Sequence, residues 1–417
     1  MSTDSFKFKL PLVLDGATGS NLIARGLPAG VCVEKWVEDN PEVLKQLQRE
    51  FYKAGADVVY APTFSANYIK LEHYSLEDEV ESLCKNLVSI SKSVADEFEN
   101  KLVAGDISPT GEFCEPFGMT SFDRMIEVFS QQGRALYEAG VDYFAIETMM
   151  SLCEIRAAVI ALKEFDLPIF VTITVDESGH TLTGATPLTC LISLQDMGIS
   201  AFGLNCSNGP EAMAEQIAAI YPYAKIPLIA KPNAGQPLAD DESGCTYELS
   251  ALDMGEKIVS VLKAGAQIVG GCCGNTPEHL AQIAKAVKSF DYQSVDIKKQ
   301  STEFVAASES DVFFMNFESL SISEPVLCEM DMSDVLLEIE DENFDAIKVV
   351  VENNDDGYFF ALNAHMCKLP VLFKAHNAAA LKNALKFYNG RALVDSQSSI
   401  DEEMLKEICA EYGAIIY

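Results

Sequence analysis

Residues 268–275 read IVGGCCGN, with Cys272 and Cys273 side by side at the end of an apolar run. Successive side chains of a regular strand face opposite ways, so two neighbouring cysteines cannot both enter one packed core. A third cysteine, Cys206 in FGLNCSNGP, has the same setting, with an apolar lead-in and a Gly-Pro turn behind it. Three thiols gathered at one point in a reducing compartment make a soft-metal site. Zinc takes sulfur ligands at about 2.3 Å, and three protein ligands leave one tetrahedral position for water or substrate. Three thiolates give the ion a net charge of about −1, which makes it a weak activator of water but still holds a bound thiol as thiolate. The pattern therefore implies activation of a thiol substrate; the residues alone do not name the electrophile. Cys245, in the loop DDESGCTYEL, is a poor fourth ligand, and His279 falls in the helix after Cys273, N-capped by Thr276. A closed, purely structural zinc knot is the bland alternative.

The elements that must position these thiols form one repeating pattern. Eight β-rich apolar runs, each ending in small or polar residues, alternate with amphipathic stretches over the first 290 residues: LPLVLDGATG, ADVVYAPTFSAN, LVAGDISPTGE, DYFAIETMMS, PIFVTITVDESG, AFGLNCSNGP, PLIAKPNAGQP and AQIVGGCCGNTP. Strands that alternate with helices pair in parallel, and eight such units in this length match a (β/α)8 barrel, a TIM barrel. Asp15, Thr63, Asp106, Glu147, Cys206, Asn233, Cys272 and Cys273 all stand at or just past strand ends. A closed barrel converges those ends on one mouth, whereas a doubly wound open sheet, the alternative, spreads them along a line.

The expected organisation is a barrel over 1–292, a linker over 293–310 where periodicity gives way to polar residues, and a smaller α/β domain over 311–417. In that last unit DVLLEIE, GYFFALNAH, LPVLFKA, RALVDSQSS and AIIY read as strand-like. NFDAIKVVVENN, NAAALKNALKFYNG and DEEMLKEICAEYG read as helix-like. Four or five strands are too few for a second closed barrel.

A net charge of −33 opposes phosphate backbones and anionic lipids, so neither nucleic acid nor membrane is an expected partner. No apolar run reaches the roughly 20 residues that span a bilayer, and the first residues lack a signal-peptide layout. The twelve cysteines are scattered, many in apolar contexts, as buried thiols of a cytoplasmic protein are.

The segments VLDGATGSNL, GDISPTGE, GLNCSNGP, KPNAGQP and GGCCGNTPEHL, in this order, resemble the homocysteine S-methyltransferase family, and in particular the homocysteine-binding module of cobalamin-dependent methionine synthases. The likeness runs over about residues 10 to 290. It implies that Cys206, Cys272 and Cys273 ligate zinc, that homocysteine sulfur takes the fourth position, and that methionine is the product. It also implies that the turn at Asp15, Gly16 and Ala17 holds the substrate carboxylate, that Glu147 accepts its ammonium, and that Asn233 fills the zinc site when substrate is absent. Backbone N–H groups in a glycine turn do bind anions, and a carboxylate pairs with an ammonium. Asp-Gly is equally ordinary turn chemistry.

Betaine is disfavoured as the methyl donor. Ser65 in APTFSAN stands where betaine-using relatives carry a tyrosine, and Trp36, the single tryptophan, does not fall at the position of an aromatic cage. The segments LPVLFKAHNAAALKNALKFYNGRALVDSQSS and LKEICAEYGAIIY resemble the middle of a pterin-binding barrel, without its opening motif, and no Asp-x-His-x-x-Gly cobalamin motif occurs. The likeness thus points to methylcobalamin carried by a separate corrinoid protein, served by a separate pterin-binding protein. An S-methylmethionine donor and a non-catalytic subunit that docks a corrinoid protein are the rivals.

Overall fold

The computed structural model describes residues 7–240 and 244–417; the side chains of 237–240, 244 and 245, and with them the Cys245 thiol, lie outside that description. Eight strands, β1 (Leu12–Val13), β2 (Val58–Ala61), β3 (Leu102–Ile107), β4 (Tyr143–Met149), β5 (Ile169–Ile173), β6 (Ala201–Cys206), β7 (Leu228–Pro232) and β8 (Ile268–Val269), form one parallel sheet in the order β1-β8-β7-β6-β5-β4-β3-β2. The expected barrel is what forms. Its seam, between β1 and β2, is stitched largely by carboxylates. Asp57 N–H donates to Val13 O at 2.7 Å, the Asp57 carboxylate accepts from Val13 N–H at 3.0 Å, and the Asp15 carboxylate accepts from Tyr60 N–H at 2.8 Å.

Each strand is followed by a covering helix: α1 (Pro41–Ala54), α2 (Val80–Ala95), α3 (Phe122–Glu138), α4 (Leu152–Leu162), α5 (Pro187–Leu194), α6 (Pro210–Ile220), α7 (Ala251–Lys263) and α8 (Pro277–Ser289). In α1, proline opens the first turn, Leu44, Leu47, Gln48 and Phe51 recur at helical spacing on the buried side, and Gly55 at φ 115° closes it. The lumen is filled at its lower level by Leu14, Tyr60, Ala104, Tyr143, Phe170 and Ile229. One level up the filling turns polar, with Asp106, Glu147, Thr172 and Lys231. That step is the floor of the mouth.

The second unit is a five-stranded parallel sheet in simple sequential order: β9 (Val326–Leu327), β10 (Ile347–Val351), β11 (Val371–Ala375), β12 (Leu393–Val394) and β13 (Ile415–Ile416). Helices α9 (Ser333–Asp341), α10 (Asn354–Asn363), α11 (Ala378–Phe387) and α12 (Glu402–Tyr412) connect them. Three expected elements are reversed. DVLLEIE is helical because Leu336 and Ile339 bury one face at a spacing of three. The β-branched run IKVVV inside NFDAIKVVVENN is a strand. GYFFALNAH is mostly helix, opened by a capping box between Asn353 and Asp356.

The 293–310 stretch is not a tether throughout. Val305–Ala307 pairs antiparallel with Val312–Phe314. Val305 and Ala307 pack with Ile192 of the barrel, while Ala306 packs with Leu372, Leu393 and Ile415 of the second sheet. Strand alternation sends neighbouring side chains into two different cores, so this hairpin is a wedge that both units share.

Candidate metal and substrate site at the barrel mouth

The three cysteines meet. Cys206 Sγ lies 2.7 Å from Cys272 Sγ and 3.7 Å from Cys273 Sγ, and all three sulfurs fall within 4.8 Å of one another as free thiols. Glycines permit the approach. A Cβ on Gly203 would stand 1.8 Å from Ile229 O, so only glycine lets β6 run this close to β7. A Cβ on Gly270 would stand 2.8 Å from Asp15 O, which fixes the end of β8 against β1. Cys206 and Ser207 both take left-handed backbone, at φ 56° and 58°, which costs non-glycine residues about 1–3 kcal/mol each. Ser207 Oγ offsets part of this by accepting from Val175 N–H at 2.9 Å. The strained pair turns the Cys206 sulfur back over the mouth.

Charge is shared unevenly within the trio. Hydrogen bonds from Cys206 and then Cys272 pull the Cys273 thiol down to about 3, helped by the Tyr247 hydroxyl. Cys272 rises well above its ordinary range because Cys206 and Cys273 crowd it and it is buried. One thiolate is thus easy and further ones are opposed by like charge, a donor set that a divalent cation completes. A tetrahedron with 2.3 Å arms has edges of about 3.8 Å; the Cys206–Cys273 separation of 3.7 Å matches, whereas Cys206–Cys272 at 2.7 Å is shorter than such an edge and has to open for an ion to seat. The residues present fit zinc.

Asn233 is buried beside this cluster, and its Oδ1 has no partner among the described residues. Its neighbour Ala234 donates N–H to Cys273 O at 2.9 Å. His279 is engaged elsewhere: Nδ1 lies 2.9 Å from the Thr276 hydroxyl and Nε2 2.9 Å from Leu249 O. Trp36 packs half-buried against the barrel core, as a structural residue does.

Below the sulfurs the floor is ionic. Glu147 Oε2 accepts from Lys231 Nζ at 2.8 Å, Asp15 Oδ1 lies 3.7 Å from the same nitrogen, and that nitrogen sits 3.7 Å over the Tyr60 ring. Burial, only partly offset by Lys231, raises Asp15 to about 6. Burial likewise holds Asp106 well above the usual carboxylate range, with Glu147 adding to it. In the Asp15-Gly16-Ala17 turn the Ala17 N–H is already donated to Asn275 O at 3.1 Å, so the anion cradle expected there does not include it. Two positioning residues escaped the sequence reading. Lys231, in KPNAGQP, is a charge inside an apolar strand, and that oddity was the available signal. Asn205, next to Cys206, donates Nδ2–H to Thr148 Oγ1 at 2.7 Å and lies 3.8 Å from the Cys272 sulfur.

Fold and site together define a parallel (β/α)8 barrel that carries a metal-spaced thiol cluster above a buried ionic floor. Over residues 12–287 the chain matches the family model described as homocysteine S-methyltransferase, and it belongs to that family. It is 30% identical over 295 residues to the methionine synthases of Mycobacterium leprae (strain TN) and Mycobacterium tuberculosis (strain ATCC 25618 / H37Rv); this takes in 66% of the chain and 24% of each relative. The chain thus spans about a quarter of the length of those curated relatives. Among solved structures it is similar to the Escherichia coli homocysteine methyltransferase MmuM, in its oxidised form with a TM-score of 0.57 and in its metallated form with 0.56, each at 23% identity over 66% of this chain and 95% of that one. That likeness is one of fold. No helix among the described residues is long and apolar enough to cross a membrane.

Proposed function

We propose that this chain transfers a methyl group to homocysteine to form methionine, with Cys206, Cys272 and Cys273 holding zinc and Asn233 Oδ1 standing in as ligand when substrate is absent. The observation that carries this reading is the convergence of three sulfurs, from the end of β6 and the turn after β8, at the same barrel mouth as the Glu147–Lys231–Asp15 cluster. Bound zinc would supply a soft Lewis acid that keeps a substrate thiol ionised at neutral pH. The chain's own residues orient the amino acid. Glu147 takes the ammonium from above and the Gly16 turn takes the carboxylate, which aims the side chain's sulfur at the cysteines. The thiol proton leaves to solvent. The sulfur then donates an electron pair to the donor's methyl carbon, the S–CH3 bond forms, and the bond to the donor breaks with its pair staying on the donor. Positioning a bound nucleophile against a presented methyl group supplies most of the advantage.

The donor is proposed to be methylcobalamin on a separate corrinoid protein, methylated in turn by a separate pterin-binding protein. The family likeness of the mouth and the name shared by the curated relatives support this. The metallated form named for MmuM agrees with a metal at this mouth, and the three-thiol donor set is what supports zinc. The test is methionine formation by zinc-loaded protein with homocysteine and, in turn, methylcobalamin, S-methylmethionine and betaine. Turnover with S-methylmethionine alone would replace the corrinoid assignment; zinc-loaded protein that binds no homocysteine would end the reading.

A further inference from the structure

Lys231 does more than balance charge. Its side chain leaves β7, crosses the lumen, and ends between Glu147 on β4 and Asp15 after β1, 2.8 and 3.7 Å from their oxygens and 3.7 Å above the Tyr60 ring. It is only 3% exposed, and it is pinned at three points from three strands. The acidic recess it fills is the deepest place a cation entering the mouth could reach, because Tyr60, Tyr143 and Phe170 close the lumen beneath. Lys231 engages Glu147 through Oε2, and the Glu147 side chain stays 12% exposed, which leaves Oε1 for a second ammonium.

We infer that Lys231 is a depth stop: it fixes how far the amino-acid end of the substrate descends, and so sets the chain length of the thiol amino acid whose sulfur reaches the cysteines. This rests on the homocysteine reading above. A chain-borne ammonium already occupies the deep position between Glu147 and Asp15, so a substrate ammonium halts at Oε1 of Glu147. The distance from there to the three sulfurs is fixed by rigid strands, and it suits one spacing of ammonium and thiol. Without Lys231 a substrate ammonium can sink into the vacated recess, and a longer side chain is then needed to bring sulfur back to the same level.

The test is calorimetric binding of homocysteine and of its homologue with one more methylene, 2-amino-5-sulfanylpentanoate, to the zinc-loaded full chain. Wild type and Lys231→Ala are compared at equal bound zinc. One methylene is worth about tenfold or more in a fitted site, so wild type should favour homocysteine by at least about that factor. Lys231→Ala should erase or invert the preference. Lys231→Gln, too short to span the lumen and uncharged but still able to donate, is the second variant should the alanine form not fold, and it should shift the preference the same way. An unchanged preference in the folded variant overturns the depth stop and leaves the proposed function standing. Wild type that binds neither thiol overturns the function, and the depth stop with it.

Discussion

Asn205 and Thr148 exchange two hydrogen bonds across the width of β5: Nδ2 to Thr148 Oγ1 at 2.7 Å, and Thr148 N–H to Asn205 Oδ1 at 2.8 Å. Thr148 needs this clamp. It sits at φ 61° in a bulge of β4, immediately after Glu147, where a β-branched residue is strained. The same Asn205 amide reaches toward the Cys272 sulfur. One side chain therefore couples the aim of the acidic floor to the aim of the thiol cluster. Asn205→Ala should lower zinc affinity by about 10–100-fold, the usual effect of losing a residue that orients ligands. It should also cost about 1–3 kcal/mol of stability, through the donor and acceptor left unpaired on Thr148. Competition with a chromophoric chelator and urea melts of the two proteins measure both. Wild-type zinc affinity in a folded Asn205→Ala protein would show that the clamp serves the backbone alone.

Removing a thiol tests the cluster itself. Cys273 is the sulfur most readily ionised, because its two neighbours donate to it. Cys273→Ser should leave the barrel folded by circular dichroism while zinc stoichiometry falls and methyl transfer disappears. Prolonged dialysis of wild type against a strong chelator should reproduce the loss, and added zinc should reverse it. Full zinc binding with retained turnover in the serine variant would remove Cys273 from the site.

The barrel and the thiol trio were legible because their signals are local. Each strand announces itself as an apolar run, and polar residues at the strand ends have one place to go in a closed barrel. Lys231 was not legible. Its partners, Glu147 and Asp15, stand on other strands, and only closure of the sheet brings a lysine on β7 to a carboxylate on β4. Asn205 likewise reads as one more polar residue before a cysteine until β4 and β6 are seen to flank β5. In the second unit short windows misled. IKVVV, set between asparagines and acids, reads as part of a helix in the window NFDAIKVVVENN, although its β-branched residues favour a strand and the capping pair Asn353 and Asp356 marks the helix start just beyond it. The wedge at Val305–Ala307 was hidden for a different reason: three small apolar residues that split between two cores show no single buried face.

Asp15 gives the pH dependence a sign. Its carboxyl sits at about 6 in the fold, chiefly through burial, against an ordinary value of 3.8. The folded state therefore binds the extra proton between these values, and stability must fall as pH rises through that window. The protonated form's contribution is complete below about pH 4 and gone above about pH 6, a change of up to about 3 kcal/mol at about 1.4 kcal/mol per unit. Other carboxylates titrate nearby, so the difference between wild type and Asp15→Asn isolates this one. The wild-type stability, less that of the variant, should drop between pH 4 and pH 7 in urea melts of zinc-free protein. A pH-independent difference would mean that Asp15 titrates alike in the folded and unfolded chain.

Arg391 holds the two units and the hairpin together from one buried position. Its guanidinium donates to Gly413 O at 2.9 Å within the second unit and to Val305 O at 3.0 Å in the wedge, and lies 2.7 Å from the Asp196 carboxylate of the barrel. Arg156, fully buried on α4, adds a second tie by donating to Leu385 O at 2.7 Å. Asp196 is a quarter exposed and keeps Lys225 Nζ at 2.8 Å, so the cost of losing Arg391 falls mainly on the carbonyls of Gly413, Thr302 and Val305, at about 1–3 kcal/mol for each buried one left without a donor. Arg391→Ala should therefore release the second unit before the barrel melts, splitting one calorimetric transition into two. Arg391→Lys should behave almost as badly, since a lysine keeps the charge but cannot present the planar fork that serves three carbonyls, of Thr302, Val305 and Gly413, and a carboxylate at once. Zinc binding at the mouth, built from β6, β7 and β8 alone, should survive in both variants. A single transition shifted by less than about 1 kcal/mol in Arg391→Ala, the size of an ordinary exposed ion pair, would place the coupling in the apolar wedge and not in this arginine.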